Sequence, residues 1–115
     1  MRTLHNVRVA GTTFDNRQEH LARLTGNEPV RLVPEPTNIY DPNAIAVMIA
    51  VKDDVLHCGY IPRELAKDIA KFLDGESLDC SISAVTGGFL LPDDSTAAYG
   101  LRLKVELPTA EDVQL

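Results

Sequence analysis

The chain has 115 residues, with 17 acidic and 11 basic side chains and a formal net charge of −6. Hydrophobic residues make up 44% of it, which excludes a disordered or collagen-like chain and favours one globular domain. There is no Trp, and there are only three Phe and three Tyr, so we predict a core of aliphatic side chains.

Composition also bears on the partners and the compartment. A strongly basic composition, the usual mark of a nucleic-acid-binding domain, is missing, so any such binding requires a local patch. No apolar run is long enough to cross a membrane, and the N-terminus lacks the apolar stretch of a secretory signal. Cys58 and Cys80 are too few for a disulfide framework, and we expect a reducing, cytoplasmic location without membrane contact.

The first half of the chain predicts two strands, a short helix and a polar loop. Alternating residues at 7–9 predict a strand, and two leucines three apart predict a helix over residues 17–24 that ends before Gly26. A second strand over residues 30–34 ends at a proline, because proline cannot donate to the sheet. A polar loop over residues 36–43 follows.

The second half predicts a hairpin, a longer helix and two more strands. Residues 44–51 are apolar on both faces, which is typical of a buried central strand. The other predicted elements are a turn at 52–54, a strand at 55–61, a helix at Pro62–Asp74, strands at 78–84 and 101–107 joined by residues 87–98, and a flexible acidic tail at 108–115. This order predicts a mainly β domain over residues 1–107, a small, partly open OB-like β-barrel with two accessory helices.

The residues that could bind a metal do not have the spacing that zinc requires. His57 and Cys58 are adjacent on a predicted strand and point to opposite faces, while Cys80 stands alone. We therefore expect no metal site and no cofactor, and we interpret the two thiols as buried.

Enzymatic chemistry has only weak candidates. A metal-dependent nuclease would need several carboxylates around one ion, and Asp41, Asp53, Asp54 and Glu64 are the candidates near loops. Asp53 and Asp54 are more simply explained by a hairpin turn, since Asp favours the backbone angles of turns. The chain has no nucleophile elbow and no phosphate-binding P-loop motif, so we predict a non-enzymatic protein.

The loop at residues 36–43 is the most informative segment. Asp41 and Pro42 fit a type I turn, but a turn alone does not require Glu35-Pro36, Asn38 and Tyr40 as well. An aromatic ring between an amide and a carboxylate can stack on a flat group while hydrogen bonds form to hydroxyls beside it.

Three blocks of sequence resemble the HIRAN domain family, and the chain is identified as a standalone bacterial or phage-type member. The blocks are VAGTTF at residues 9–14, EPTNIYDPNAIAV at 35–47 and GYIPRELA at 59–66. The second block, followed by the third after one hairpin, is the most specific signal. The resemblance implies a modified OB-like barrel with a binding role. Family members occur fused to helicases and nucleases or as short proteins, and the fork-remodelling members capture the 3′ end of single-stranded DNA.

Matching positions imply a set of contacts to nucleic acid. The residues placed there by the resemblance are Asn38, Tyr40 and Asp41 around the terminal nucleotide, Phe14 and Tyr99 as base-contacting aromatics, Arg63 at a phosphate and Tyr60 at a position where remodelling members carry histidine. The Asp41 carboxylate would accept a hydrogen bond from a free 3′-hydroxyl and repel a 3′-phosphate. This hypothesis requires exposed rings and an Asp41 oxygen that no backbone amide occupies.

Two hypotheses therefore compete, and a third is weaker. The first is a module that binds a 3′-hydroxyl end of single-stranded DNA in repair, at replication forks or in phage DNA processing. The second is a protein–protein adaptor for a helicase or nuclease subunit, motivated by the acidic charge and by Thr13 in place of a family arginine. The third is a nuclease that uses Asp41 and Asp53.

Overall fold

The computed structural model describes residues 2–73 and 78–108. Within these ranges the chain forms six strands and two helices, which confirms the predicted mainly β fold with two accessory helices. The elements are β1 (Arg2–Arg8), α1 (Arg17–Ala22), β2 (Val30–Pro34), β3 (Ile45–Val51), β4 (Asp54–Tyr60), α2 (Arg63–Ala70), β5 (Cys80–Thr86) and β6 (Gly100–Leu107).

Helix α2 is shorter at both ends than the sequence pattern predicts. Pro62 has an extended ψ of 139° and precedes the helix as its N-cap. At the other end, the amides of Phe72 and Leu73 donate to carbonyls three residues back, so the chain tightens into turns after Ala70. Residue 74, like most of the predicted C-terminal tail, lies outside the described residues.

The strands form two antiparallel sheets of three strands each, with orders β1-β6-β5 and β2-β3-β4. β6 alternates strictly, with its odd-numbered residues buried and its even-numbered residues partly exposed. β3 is mostly buried on both faces, as its apolar sequence predicts, and a turn at residues 52–53 connects it to β4.

The two sheets are joined at both sides by single bridges. The amide of Ala10 donates to the carbonyl of Tyr60 at 2.7 Å, and the amide of Tyr60 donates back at 2.9 Å, which links the end of β1 to β4. On the other side, Pro29 is bridged to Ser81, which links β2 to β5. These contacts produce the small, partly open β-barrel that the sequence predicts.

The core between the sheets is aliphatic. Its largest fully buried side chains are Leu21, Ile45, Ile49, Leu56, Ile69, Leu101, Leu103, Val47, Val105 and Cys58. Not one of the six aromatic side chains belongs to this set, although the partly buried Phe72 and Tyr99 pack against it. No helix among the described residues is long and apolar enough to span a membrane.

Gly59 allows the chain after β1 to lie against β4. A Cβ atom at this position would stand 2.5 Å from the Ala10 carbonyl oxygen and 2.6 Å from Val9 Cγ1. Its φ of +151° is also unfavourable for residues with a side chain. The bridge between the two sheets therefore requires glycine here.

We predict that Gly59→Ala lowers the free energy of unfolding by about 2 kcal/mol or more, because both the clash and the backbone strain oppose it. Denaturant titration measures the loss. Gly26→Ala is the matched control, since Gly26 also has a positive φ, +106°, but apart from its chain neighbours no atom of the described residues lies within 4 Å of the position that its Cβ would occupy. An equal loss in the two variants would contradict the role assigned to close approach.

Candidate nucleic-acid interface

A cleft of about 680 Å³ opens where three segments of the chain meet. These segments are the connection from β1 to α1, the loop between β2 and β3, and the junction of β4 with α2. The cleft is lined by six of the seven side chains that the sequence resemblance selects, Phe14, Asn38, Tyr40, Asp41, Tyr60 and Arg63. The bridge between Ala10 and Tyr60 brings these distant segments together.

Backbone hydrogen bonds close the base of the loop between β2 and β3. The Glu35 amide donates to the Ala44 carbonyl at 2.8 Å, and the Asn38 amide donates to the Glu35 carbonyl at 3.0 Å. The Ala44 amide donates to the Asp41 carbonyl at 3.0 Å, which is the turn that the Asp41–Pro42 pair predicts.

The Asn38 side chain holds the tip of this loop. Its Oδ1 atom accepts the amides of Tyr40 and Asp41 at 2.8 and 3.1 Å. Its Nδ2 atom donates to Glu35 Oε1 at 3.0 Å. Most of the hydrogen-bonding capacity of Asn38 is therefore used inside the loop, and its main role in this structure is to position Tyr40 and Asp41.

Two aromatic rings of the cleft face solvent. Tyr40 is 85% exposed and Phe14 is 67% exposed, and Ile39 beside Tyr40 is also exposed. Phe14 therefore does not belong to the core. Phe14, Ile39 and Tyr40 therefore expose apolar surface together at one cleft, and such clustered exposure is typical of a binding site.

Asp41 has one oxygen engaged by the backbone and one facing a cation. Oδ1 accepts the amide of Asn43 at 2.9 Å, while Oδ2 lies 3.7 Å from Nε of Arg63. The Asp41 side chain is only 18% exposed, whereas that of Arg63 is 81% exposed. One carboxylate oxygen thus remains without a backbone donor, next to an exposed positive charge at the start of α2.

Tyr60 connects the loop to the rest of the cleft. Its hydroxyl donates to Glu35 Oε1 at 2.9 Å, the same oxygen that accepts Asn38. Burial and this hydrogen bond raise the pKa of Tyr60, so the hydroxyl stays protonated and acts as a donor. The guanidinium of Arg17 lies 5.2 Å from the centroid of the Tyr60 ring, within range of a cation–π contact.

Glu35 and Arg17 are two residues at the site to which sequence analysis assigned no contact. Glu35 lies inside the matched block, so its place in that motif was an available signal. Arg17 gives no such signal, since a basic residue at the start of a helix is normally solvent-exposed. Here it is only 8% exposed, donates to the Gly11 carbonyl at 2.7 Å and lies 3.5 Å from Asp15.

The charges that line the cleft cancel. Arg17 and Arg63 are opposed by Asp15 and Asp41, so the lining has no formal net charge. The cleft is therefore electrically balanced in an acidic protein, and it does not form the local basic patch that the composition leads us to require of a nucleic-acid-binding site.

Tyr99 lies outside this cleft. Its backbone amide and carbonyl are both bound by the side-chain amide of Gln18, at 2.7 and 2.9 Å. Its ring covers Gly88, where a Cβ atom would clash with the ring. Packing against the connection between β5 and β6 therefore separates Tyr99 from the other predicted contact residues.

The carboxylates that a nuclease would need are not gathered. Asp53 and Asp54 lie at the turn between β3 and β4, while Asp41 precedes β3, at the far end of a strand about 20 Å long. Asp54 instead faces Arg23 at 4.0 Å. Among residues 2–73 and 78–108, no three His, Cys, Asp or Glu side chains are arranged to hold a metal ion.

The cysteines do not form a reactive site. Cys58 is buried, and Cys80 is only partly buried, in contrast to the expectation of two buried thiols. Burial raises the pKa of Cys58 to about 11 and that of Cys80 to about 12. Both groups are therefore thiols rather than nucleophilic thiolates at neutral pH.

Comparisons with known proteins agree with the sequence motifs. Residues 3–88 match the family model of the HIRAN domain. The Fanconi-associated nuclease 1 homolog of Oryza sativa subsp. japonica is 34% identical over 108 residues, which are 93% of this chain but 11% of that protein. A crystal structure of a Lactobacillus plantarum protein, a structural genomics target, superposes with a TM-score of 0.58 at 27% identity and covers 90% of this chain and 92% of that one.

We predict that Asn38→Ala loosens the loop without unfolding the domain. Two backbone amides lose their acceptor, at a cost of about 1–2 kcal/mol in local stability. Hydrogen exchange at Tyr40 and Asp41 should become faster, while exchange in β3 is unchanged. Thr37→Ala, at an exposed neighbour in the same loop, is the control, and unchanged exchange in Asn38→Ala would contradict the positioning role.

We also predict that His57 makes stability depend on pH. Burial and the nearby charge of Arg17 lower the pKa of His57 below 6.5, although its Nε2 atom lies 3.1 Å from the Gly59 carbonyl and the Glu35 carboxylate opposes the shift. The folded protein therefore takes up this proton less readily than the unfolded chain. The contribution of neutral His57 to the free energy of unfolding is therefore fully present above pH 6.5, and it is lost as the pH falls through the folded-state pKa.

Urea titrations between about pH 7.5 and pH 5 measure this dependence. His57→Gln keeps a side-chain N–H and should flatten the decline in unfolding free energy on acidification. His5→Gln, at an exposed position on β1, is the control and should retain it. A decline of the same steepness in His57→Gln would refute the assignment.

Proposed function

The chain belongs to the HIRAN domain family, and from this premise we propose that it is a non-enzymatic module that binds single-stranded DNA at a free 3′-hydroxyl end. Membership of this family of binding domains supports nucleic-acid binding in general. The observation that carries the finer proposal is the exposure of Tyr40 and Phe14 in one cleft beside the Asp41 carboxylate.

The rings supply affinity that does not depend on base identity. A nucleobase can stack on Tyr40 or Phe14, and each such contact is worth roughly 1–3 kcal/mol. The loop beneath Tyr40 is braced by Asn38 and Glu35, so little conformational entropy is lost when a base binds. Stacking also suits an electrically balanced cleft, because it needs no excess of positive charge.

The Asp41 carboxylate supplies the preference for an unblocked end. A free 3′-hydroxyl can donate to Oδ2, the oxygen that no backbone amide occupies, whereas a 3′-phosphate would place like charges together. A hydroxyl that approaches Oδ2 would also loosen the ion pair with Arg63 and free the guanidinium for the adjacent phosphate.

Arg17 offers a partial replacement for the family arginine whose position Thr13 occupies in this chain. Thr13 lies in the connection between β1 and α1, four residues before Arg17, which begins α1 and lines the cleft. Because Arg17 is nearly buried and already bound to Gly11 and Asp15, it can orient a ligand electrostatically but cannot swing freely to grip a phosphate. We accordingly propose weak to moderate affinity that is highest at low salt.

The kind of relative supports a proposal about the biological setting. The rice protein is named as a nuclease, and the present chain matches a small part of it. We propose that this domain brings a helicase or nuclease to DNA ends, in repair, at replication forks or in phage DNA processing.

We predict that a fluorescent oligonucleotide with a 3′-hydroxyl binds at low salt and that the same oligonucleotide with a 3′-phosphate binds at least about tenfold more weakly. Tyr40→Ala should weaken binding by about 5-fold to 150-fold through the loss of one stacked base. Fluorescence anisotropy measures both effects. Phe89→Ala, which removes an exposed ring that does not line the cleft, should bind like the wild type.

Two outcomes separate this proposal from its alternatives. Equal affinity for both ends would remove end recognition and leave general single-strand binding. An absence of binding even at low salt would favour the adaptor function on the same fold. Thr13 and the net charge of −6 are the observations that support this alternative.

A further inference from the structure

The outer face of the sheet β1-β6-β5 carries two arginines directly opposite each other. Arg8 on β1 is the register partner of Arg102 on β6. Side chains of such partners begin about 5 Å apart, and like charges in this position repel. Neither arginine has an ion-pair partner among residues 2–73 and 78–108, although several other bases of this acidic chain do.

A third base continues this row along β6. Odd-numbered residues of β6 point into the core, so Arg102 and Lys104 share the outer face. Lys104 lies 3.7 Å from Glu106, which reduces its net effect and leaves the two arginines as the main source of positive potential. We call Arg8, Arg102 and Lys104 the basic ridge.

The basic ridge begins next to the cleft. Ala10, which lines the cleft, follows Arg8 by two residues in a segment that stays paired, since the Val9 amide donates to the Leu101 carbonyl and Ala10 is bridged to Tyr60. Residues two apart in an extended segment lie on the same face, about 7 Å from each other. A chain that leaves the cleft past Ala10 therefore meets Arg8 and then Arg102.

We propose that the basic ridge binds the phosphodiester backbone of the nucleotides that precede the 3′ end held in the cleft. This inference rests on the proposed function and extends it, because it assigns a path to the rest of the strand. The ligand is a single-stranded polyanion rather than an acidic peptide, since the ridge is continuous with a cleft suited to nucleobases. It also resolves how a balanced cleft acquires affinity for DNA, because the positive charge lies beside the cleft instead of inside it.

The test compares two double variants that remove the same charge. Arg8→Gln with Arg102→Gln alters the basic ridge, and Arg31→Gln with Lys52→Gln removes two bases elsewhere, on β2 and in the turn after β3. Binding of 3′-hydroxyl oligonucleotides of about two and about 12 nucleotides is measured against salt concentration, because the shorter one occupies the cleft alone and the longer one lies within the length that one OB-type fold covers. Thermal unfolding checks folding, and loss of the repelling pair should leave the melting temperature equal or higher.

For the longer oligonucleotide, the variant of the ridge should lose about tenfold in affinity, and its salt slope should become shallower by about 1.4, or 0.7 for each lost phosphate contact. The shorter oligonucleotide should bind it like the wild type, and the control variant should keep the wild-type slope. Tyr40→Ala should lower affinity at both lengths with an unchanged slope.

Other results would overturn the inference in distinguishable ways. Equal losses of affinity in the two double variants would reveal a general effect of charge and would contradict binding by the basic ridge. If the ridge variant bound the longer strand like the wild type, the role of the basic ridge would be refuted, while the proposed binding in the cleft would stand. Failure of the wild-type protein to bind either oligonucleotide at low salt would refute the proposed function and the ridge together.

Discussion

The pairing of Tyr60 with Ala10 is the contact on which the fold and the candidate site both depend. Its two backbone hydrogen bonds join the sheets on one side of the barrel, and Gly59 allows the approach because it has no side chain. The Tyr60 side chain then links the site through its hydroxyl to Glu35 and through its ring to Arg17. The contacts of this one residue therefore hold three segments of the cleft against the barrel. The site is thus supported by the sheet beneath it.

The electrostatics of the domain divide recognition between two regions. The cleft is balanced, which suits stacking and a hydrogen bond to a terminal hydroxyl, both short-range contacts. Long-range attraction must come from the surface around it, and the proposed basic ridge on the neighbouring sheet would supply that. The overall charge of −6 would then discourage binding elsewhere on the molecule, so that affinity depends on an end in the cleft.

The composition of the core explains why the site has aromatics to use. With no Trp and six other rings, the chain fills its interior with Leu, Ile and Val, whose close packing needs no polar partner. Tyr40 and Phe14 therefore remain at the surface on loops that the barrel positions. Asn38 differs from these rings. The sequence suggests that its side chain contacts a ligand, but in the structure this side chain mainly accepts hydrogen bonds from backbone amides of its own loop.

Alternation, turn residues and motif spacing are local properties, and they were sufficient to predict the mainly β fold, the order of its elements and the loop that carries Tyr40 and Asp41. Only the folded structure shows that Arg17 lines the cleft and Tyr99 does not, and that Glu35 braces the cleft from outside its lining. Those placements depend on contacts between residues far apart in the chain, such as Glu35 with Tyr60 and Gln18 with Tyr99. The sequence likewise does not predict that the charges lining the cleft cancel, since this depends on which acidic and basic side chains the joined sheets bring together.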